Sequence, residues 1–213
     1  MNRKALMKIP APVLTNMRRT IQSYEDSARE YDAIVADHPP PEIEDALRRM
    51  MALVPAGGTV FEIGSGTGRD ADFVESLGGI VRRTDATQAF LDLQAGRGKK
   101  GELLNVVTDV LGGPYSAILA MAVLIHVDRA QVAPVLRKVF DALEPGGVFL
   151  VAMRIGEGET NGDYQTVYWA KDPFAEELAA AGLRLQWERQ WIGRENVTWV
   201  SFLACRPRER VQA

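Results

Sequence analysis

From Val60 to Asp70 the chain reads Val-Phe-Glu-Ile-Gly-Ser-Gly-Thr-Gly-Arg-Asp. Gly64, Gly66 and Gly68 alternate with Ser65 and Thr67 at the end of an apolar run. Glycines at this density let a ligand approach the backbone closely. Glu62, two residues before the first glycine, puts a negative charge beside that approach. A pyrophosphate at a helix N-terminus would meet Glu62 with like charge, whereas a cationic ligand would meet it with opposite charge. The spacing is G-x-G-x-G, not the G-x-G-x-x-G of the dinucleotide fingerprint.

Two ligand classes suit such a turn: a dinucleotide, or S-adenosylmethionine, which carries an ammonium and a sulfonium and no phosphate. Glu62 and the glycine spacing both favour the second. Asp85, followed by Ala86, ends the next strand, where a carboxylate can accept both hydroxyls of a ribose. That role suits either ligand, and helix capping is the plain alternative. Asp109 follows the third strand and could accept from an adenine amine, or simply close a turn. Met121 begins a run ending at His126, just past the fourth strand. His126 could take a proton near pH 7, or only pack and bond the backbone.

The elements that must position these groups alternate strand and helix. The residues Leu14, Met17, Ile21, Tyr24, Ala28, Tyr31 and Val35 form one helical stripe over 13–36, which His38-Pro39-Pro40-Pro41 breaks. A second helix carries Ile43, Leu47, Met50, Met51 and Val54. Strands are expected at 59–63, 80–84, 103–107, 117–121 and 148–153, with helices at 69–77, 87–95 and across Val132–Leu143. Residues 154–171 read as a polar loop, Asp172 opens a last helix, and strands near 183–190 and 197–205 read as an antiparallel hairpin. The whole is a parallel sheet covered on both faces, whose ligand sits beyond the carboxyl ends of the strands.

Taken together, these motifs resemble class I S-adenosylmethionine-dependent methyltransferases of the small-molecule, natural-product type, over nearly the whole chain. Glu62 to Gly68, with Ser65 inside the turn, match the E/D-x-G-x-G-x-G motif. Asp85 matches the acid after the second strand, and Asp109 with Val110 the adenine-contacting pair. Leu143-Glu144-Pro145-Gly146-Gly147 matches the L-x-P-G-G turn, and Tyr24 to Asp32 resembles the Y-D-x-x-A-x-x-Y-D helix, whose tyrosines, here Tyr24 and Tyr31, close the cofactor pocket. The resemblance implies a Rossmann-like fold with a seven-stranded, mostly parallel sheet, one strand antiparallel and helices on both faces. It divides the chain into an N-terminal helical lid (1–38) and a cofactor-binding domain (39–213). Ser116 stands where the family usually has an acid, and Arg97-Gly98-Lys99-Lys100 is unusually basic.

The implied activity is transfer of a methyl group to an oxygen or nitrogen of a small metabolite or peptide terminus. S-adenosylmethionine is the cofactor, Met121 lies among the cofactor contacts, and His126 is the candidate base. The insert after the fifth strand supplies Arg154, Tyr168 and Trp169 as candidate acceptor contacts, with Tyr164 and Trp199 nearby. Aromatic walls and one arginine suit a planar or carboxylate-bearing acceptor. The rival readings are a nicotinamide-dependent oxidoreductase and a non-catalytic binder of S-adenosylmethionine.

Composition narrows the partners. The 213 residues carry a formal net charge of −3, so no global positive field invites nucleic acid. A basic stretch at the start (Arg3, Lys4, Lys8, Arg18, Arg19) reads as a solvated terminus. One cysteine and two histidines make a structural metal site unexpected and fit a cytoplasmic setting. No apolar run approaches the ~20 residues of a membrane span. The expected partner is thus a small-molecule or peptide acceptor, with no nucleic acid and no membrane, and a homodimer is left open.

Overall fold

The computed structural model describes residues 9–208; Arg3, Lys4 and Lys8 of the basic stretch and the first part of the expected lid lie outside them. A seven-stranded sheet is built from β1 (Thr59–Ile63), β2 (Ile80–Asp85), β3 (Gly101–Leu103), β4 (Tyr115–Met121), β5 (Leu143–Arg154), β8 (Arg184–Ile192) and β9 (Thr198–Cys205). Their order is β3-β2-β1-β4-β5-β9-β8. Strands β1 to β5 pair in parallel, β9 runs antiparallel to β5, and β8 runs antiparallel to β9. Only β9 therefore runs against the rest, which is the Rossmann-like architecture expected.

Helices α2 (Pro41–Met51) and α3 (Arg69–Ser76) cover one face, α5 (Arg129–Ala142) and α6 (Lys171–Ala180) the other. The central strands are apolar on both faces: Ile118 and Phe149 face the α5 side, Leu119 and Leu150 the α2 side. Strands buried this way read as continuous apolar runs, which is why β4 and β5 were evident. Helix α1 (Ala11–Ile34) crosses the carboxyl end of the sheet towards α4 (Gln88–Gly96).

Three boundaries differ from expectation. The third strand occupies Gly101–Leu103, not 103–107, because Asn105 diverts the chain. Asn105 Oδ1 accepts from Val107 N at 2.9 Å, and Asp109 Oδ2 accepts from Asn105 N at 2.9 Å. Such local side-chain bonds compete with a sheet ladder. Strand β5 begins at Leu143, ahead of the Pro-Gly-Gly turn, because Leu143 pairs with Tyr115 before the register shifts. The expected loop after β5 contains a small hairpin of β6 (Glu159–Asn161) and β7 (Gln165–Val167).

Among the described residues no helix is long and apolar enough to cross a membrane, and no cluster of three metal-ligating side chains occurs.

Candidate active site

The carboxyl ends of β1, β2, β4 and β5, roofed by α1, enclose a cavity of about 300 Å³. That lies at the small end of the usual range for ligand sites. Gly64 and Gly66 line it from the first turn, with φ of +67° and +52°. At Gly64 a Cβ would lie 2.4 Å from Val123 Cγ2, whereas at Gly66 it would stand in open space. Gly68 does not reach the cavity. It opens α3 at φ +87°, and a Cβ there would meet Arg83 at 2.9 Å and Gln94 at 3.0 Å. Ser65 is likewise buried behind the turn, its Oγ accepting from Gln94 Nε2 at 2.8 Å.

Asp85 and Ala86 line the cavity at the end of β2. The Asp85 carboxylate accepts from Gly66 N at 2.7 Å and Thr87 N at 2.8 Å, so it fixes the glycine turn. Burial pushes its pKa up, and the backbone donors Gly66 and Thr87 oppose the rise. Glu62 lies behind the turn, not on the cavity wall. It is buried, and its Oε2 has no hydrogen-bond partner. Burial and then the charge of Asp70 raise its pKa well above the ordinary value. Both carboxylates are therefore costly to ionise until a cation comes near.

At the other end, β4 supplies Met121 and the turn after it Val123 and His126. His126 Nδ1 lies 2.6 Å from the carbonyl of Gln165, which can only accept, so Nδ1 carries the proton. Nε2 then accepts from the Tyr24 hydroxyl at 2.9 Å. Burial, followed by the charge of Arg154, lowers the His126 pKa to about 4 against the backbone bond that favours the imidazolium. Tyr24 stacks on Tyr164 at 5.3 Å and meets Tyr31 edge-on at 6.0 Å. Both tyrosines of α1 line the cavity.

The other expected contacts divide. Arg154 lines the cavity; Tyr168 and Trp169 do not. Trp169 is buried against Phe174 and under the Arg129 guanidinium, and Tyr168 packs against Gly156. Tyr164 and Trp199 line the wall instead. Asp109 and Val110 are also displaced: both are exposed, and Asp109 closes the Asn105 turn. Their expected place is taken by Leu104 to Val107. Phe90 and Thr20 also line the cavity, and neither belongs to a motif that would have singled it out.

Polar contacts hold α1 in place. The Glu25 carboxylate accepts from Gln88 N at 2.6 Å and Ala89 N at 2.9 Å. It thereby caps α4, whose own N-cap residue Thr87 makes no side-chain capping bond. Asp32 pairs with Arg97 at 3.0 Å, and Arg194 donates to the Ile34 carbonyl at 2.8 Å. The basic loop is thus in part a fastener for α1. Glu25→Ala is expected to lower folding stability by about 1 kcal/mol, the usual worth of a lost cap. It should also weaken cofactor binding several-fold. Urea melts and calorimetric titration check both, and unchanged values would show that the cap is idle.

The fold is a Rossmann-like one, with a cavity at the carboxyl ends of its parallel strands. Residues 61–151, from β1 through most of β5, match the family model described as a methyltransferase domain. That match spans 91 of the 213 residues and makes this stretch similar to a methyltransferase domain.

No curated protein sequence matches the chain. Solved structures are similar in fold. One is the Burkholderia thailandensis 1,6-didemethyltoxoflavin-N1-methyltransferase, solved with 1,6-didemethyltoxoflavin and S-adenosylhomocysteine. It is 18% identical, with a TM-score of 0.74 over 95% of this chain and 92% of that one. The CcbJ methyltransferase from Streptomyces caelestis is 21% identical, with a TM-score of 0.70 over 85% and 97%. The [4+2]-cyclase SpnF, 14% identical, reaches a TM-score of 0.70 over 91% and 96%. A cyclase in this company shows that the fold does not name the reaction.

Proposed function

We propose that the protein methylates an oxygen or nitrogen of a small planar molecule held between α1 and the ends of β4 and β5. One observation carries this reading: the two ends of the cavity differ in chemistry. At β1 and β2 stand the glycine turn and Asp85, suited to a nucleoside. At β4 and β5 stand Tyr24, Tyr164, Trp199, His126 and Arg154, suited to a flat partner with polar edges. When bound, S-adenosylmethionine supplies a methyl group already activated on a sulfonium.

The residues fit that cofactor. Gly66 leaves open space where a side chain would intrude, and Asp85 offers acceptors for ribose hydroxyls. Glu62 Oε2 is buried without a hydrogen-bond partner, and a positively charged ligand nearby would favour its ionised form over the neutral one that burial favours. Asn105, Val106 and Val107 are placed to flank a base, in the position expected of Asp109 and Val110. The work left to the chain is to align two partners and exclude water. The rings of Tyr24, Tyr31 and Phe90 pack together over the cavity at the seam between α1 and α4.

His126 is the proton acceptor in this reading. Its fixed tautomer aims the Nε2 lone pair at Tyr24, so the acceptor's proton reaches the imidazole when the Tyr24 hydroxyl turns aside or passes it on. A pKa near 4 makes it a weak base, suited to an acidic O–H or N–H. His126→Ala is expected to lower turnover about 100-fold, within the usual range for a lost general base, and cofactor affinity less than threefold. Equal loss of both would remove the base role.

The same histidine predicts a pH effect on stability. Its folded pKa lies below its ordinary value of 6.5, so the unfolded chain binds this proton first as pH falls. Stability from this group is complete above pH ~6.5 and is lost as pH drops towards ~4, by roughly 1.4 kcal/mol per unit. The His126→Gln variant should show a flatter decline in urea melts across that window.

The test of the function itself is a screen of small planar acceptors that reads S-adenosylhomocysteine release. Release above the acceptor-free rate supports the proposal. A protein that binds S-adenosylmethionine but releases nothing with any acceptor favours the non-catalytic binder, and one that binds a nicotinamide dinucleotide instead favours the oxidoreductase.

A further inference from the structure

Arg154 ends β5 directly opposite Trp199 on β9, and Trp199 is opposite Trp191 on β8. Cross-strand partners present their side chains on one face, so the three form a ladder across three strands. The guanidinium lies over the Trp199 ring, 5.0 Å from its centroid. Trp199 stacks on Trp191 at 5.5 Å and 10°, and Trp191 Nε1 donates to Ser201 Oγ at 3.1 Å. The cation is thereby held by flat surfaces beneath it, which orients the guanidinium without satisfying its donors.

No carboxylate among the described residues pairs with Arg154, and its buried Nε has no hydrogen-bond partner. Leaving such a donor buried and unpaired costs free energy that a ligand can recover. The cavity's one carboxylate, Asp85, ends β2, three strands away in the order β2-β1-β4-β5. At about 4.8 Å per strand that separation is roughly 14 Å, well beyond ion pairing. Asp85 is in any case held by Gly66 N and Thr87 N. The cavity therefore has a carboxylate at its nucleoside end and an unanswered guanidinium at its acceptor end.

We infer that Arg154 is a seat for a carboxylate on the acceptor, which makes the substrate a planar aromatic acid rather than a neutral ring. The inference rests on the methyltransferase reading only for the word acceptor. Arginine forks suit a carboxylate through two parallel N–H bonds, and Tyr164 on the cavity wall provides a flat surface for the ring behind it. The methionine tail of the cofactor also ends in a carboxylate, so the test separates the two sources.

Protein loaded with S-adenosylhomocysteine is titrated calorimetrically with benzoate, quinoline-2-carboxylate and indole-3-acetate, each against its carboxamide. At least one acid should bind at least tenfold tighter than its amide. Arg154→Gln should bring that pair within twofold of each other, and Arg154→Lys should keep part of the preference. The affinity of both variants for S-adenosylhomocysteine should stay within threefold of the wild type, which also shows that they fold. Three results would overturn the inference: no acid binding at millimolar concentration, no acid preferred over its amide, or a parallel loss of S-adenosylhomocysteine affinity in Arg154→Gln. The last would assign Arg154 to the cofactor's own carboxylate. A wild-type chain that takes up no S-adenosylhomocysteine would instead sink the methyltransferase reading, and the titration without it would still test Arg154.

Discussion

Gly64→Ala and Gly66→Ala are expected to fail in different ways. At Gly64 the backbone is left-handed and the new Cβ falls 2.4 Å from Val123 Cγ2 and 3.1 Å from Cγ1. The left-handed conformation costs about 1–2 kcal/mol, and forcing Val123 aside costs roughly as much again. Val123 lines the cavity, so its displacement also narrows the space for the ligand. Gly64→Ala should thus lose about 3 kcal/mol of stability and at least tenfold in cofactor affinity. At Gly66 the new methyl clashes with nothing, because no atom lies within 4 Å. Gly66→Ala should lose only about 1 kcal/mol of stability, from backbone strain, while cofactor affinity falls by roughly the same tenfold or more. Thermal melts and titration with S-adenosylmethionine separate the two quantities. Wild-type affinity in Gly66→Ala would mean that the ligand does not approach this turn.

Asp85→Ala should lower cofactor affinity by a hundredfold or more. A carboxylate accepting two ribose hydroxyls contributes about 1.5–3 kcal/mol per bond, so losing both predicts about 3–6 kcal/mol. The same carboxylate accepts from Gly66 N, so its loss also loosens the turn that the ligand approaches. Asp85→Asn retains acceptor capacity in its amide oxygen and should lose far less. Affinity for S-adenosylmethionine within threefold of wild type in Asp85→Ala, with an unchanged melt, would leave Asp85 as a brace for the turn and nothing more.

The glycine turn, Asp85 and the order of strands and helices were legible because each depends on short-range chemistry. Positive-φ glycines, apolar runs and an acid at a strand end all announce themselves within a few residues. Residues whose places depend on partners far along the chain were less so. Asp109 and Val110 suited the motif by type, yet the Asn105 turn ended β3 early and moved Asn105 to Val107 into their place. Tyr168 and Trp169 were near the site in sequence, but Trp169 packs with Phe174 on α6 while Tyr164 stacks on Tyr24. Nothing local says which aromatic of the insert turns inward. The Arg154–Trp199 pairing depends on the register of β5 against β9, across 45 residues of chain, and no local pattern encodes it.

The Glu25 cap has a thermodynamic corollary. The carboxylate of α1 satisfies the first amides of α4, the helix that begins three residues after Asp85. The seating of α1 and order at the Asp85 end of the cavity are therefore linked. By reciprocity, whatever factor the seated α1 adds to cofactor affinity, bound cofactor must add to the seating of α1. If the linkage equals the worth of one cap, about 1 kcal/mol, that factor is roughly five. Hydrogen exchange in α1 should then slow about fivefold when cofactor saturates the protein, and this slowing should vanish in Glu25→Ala.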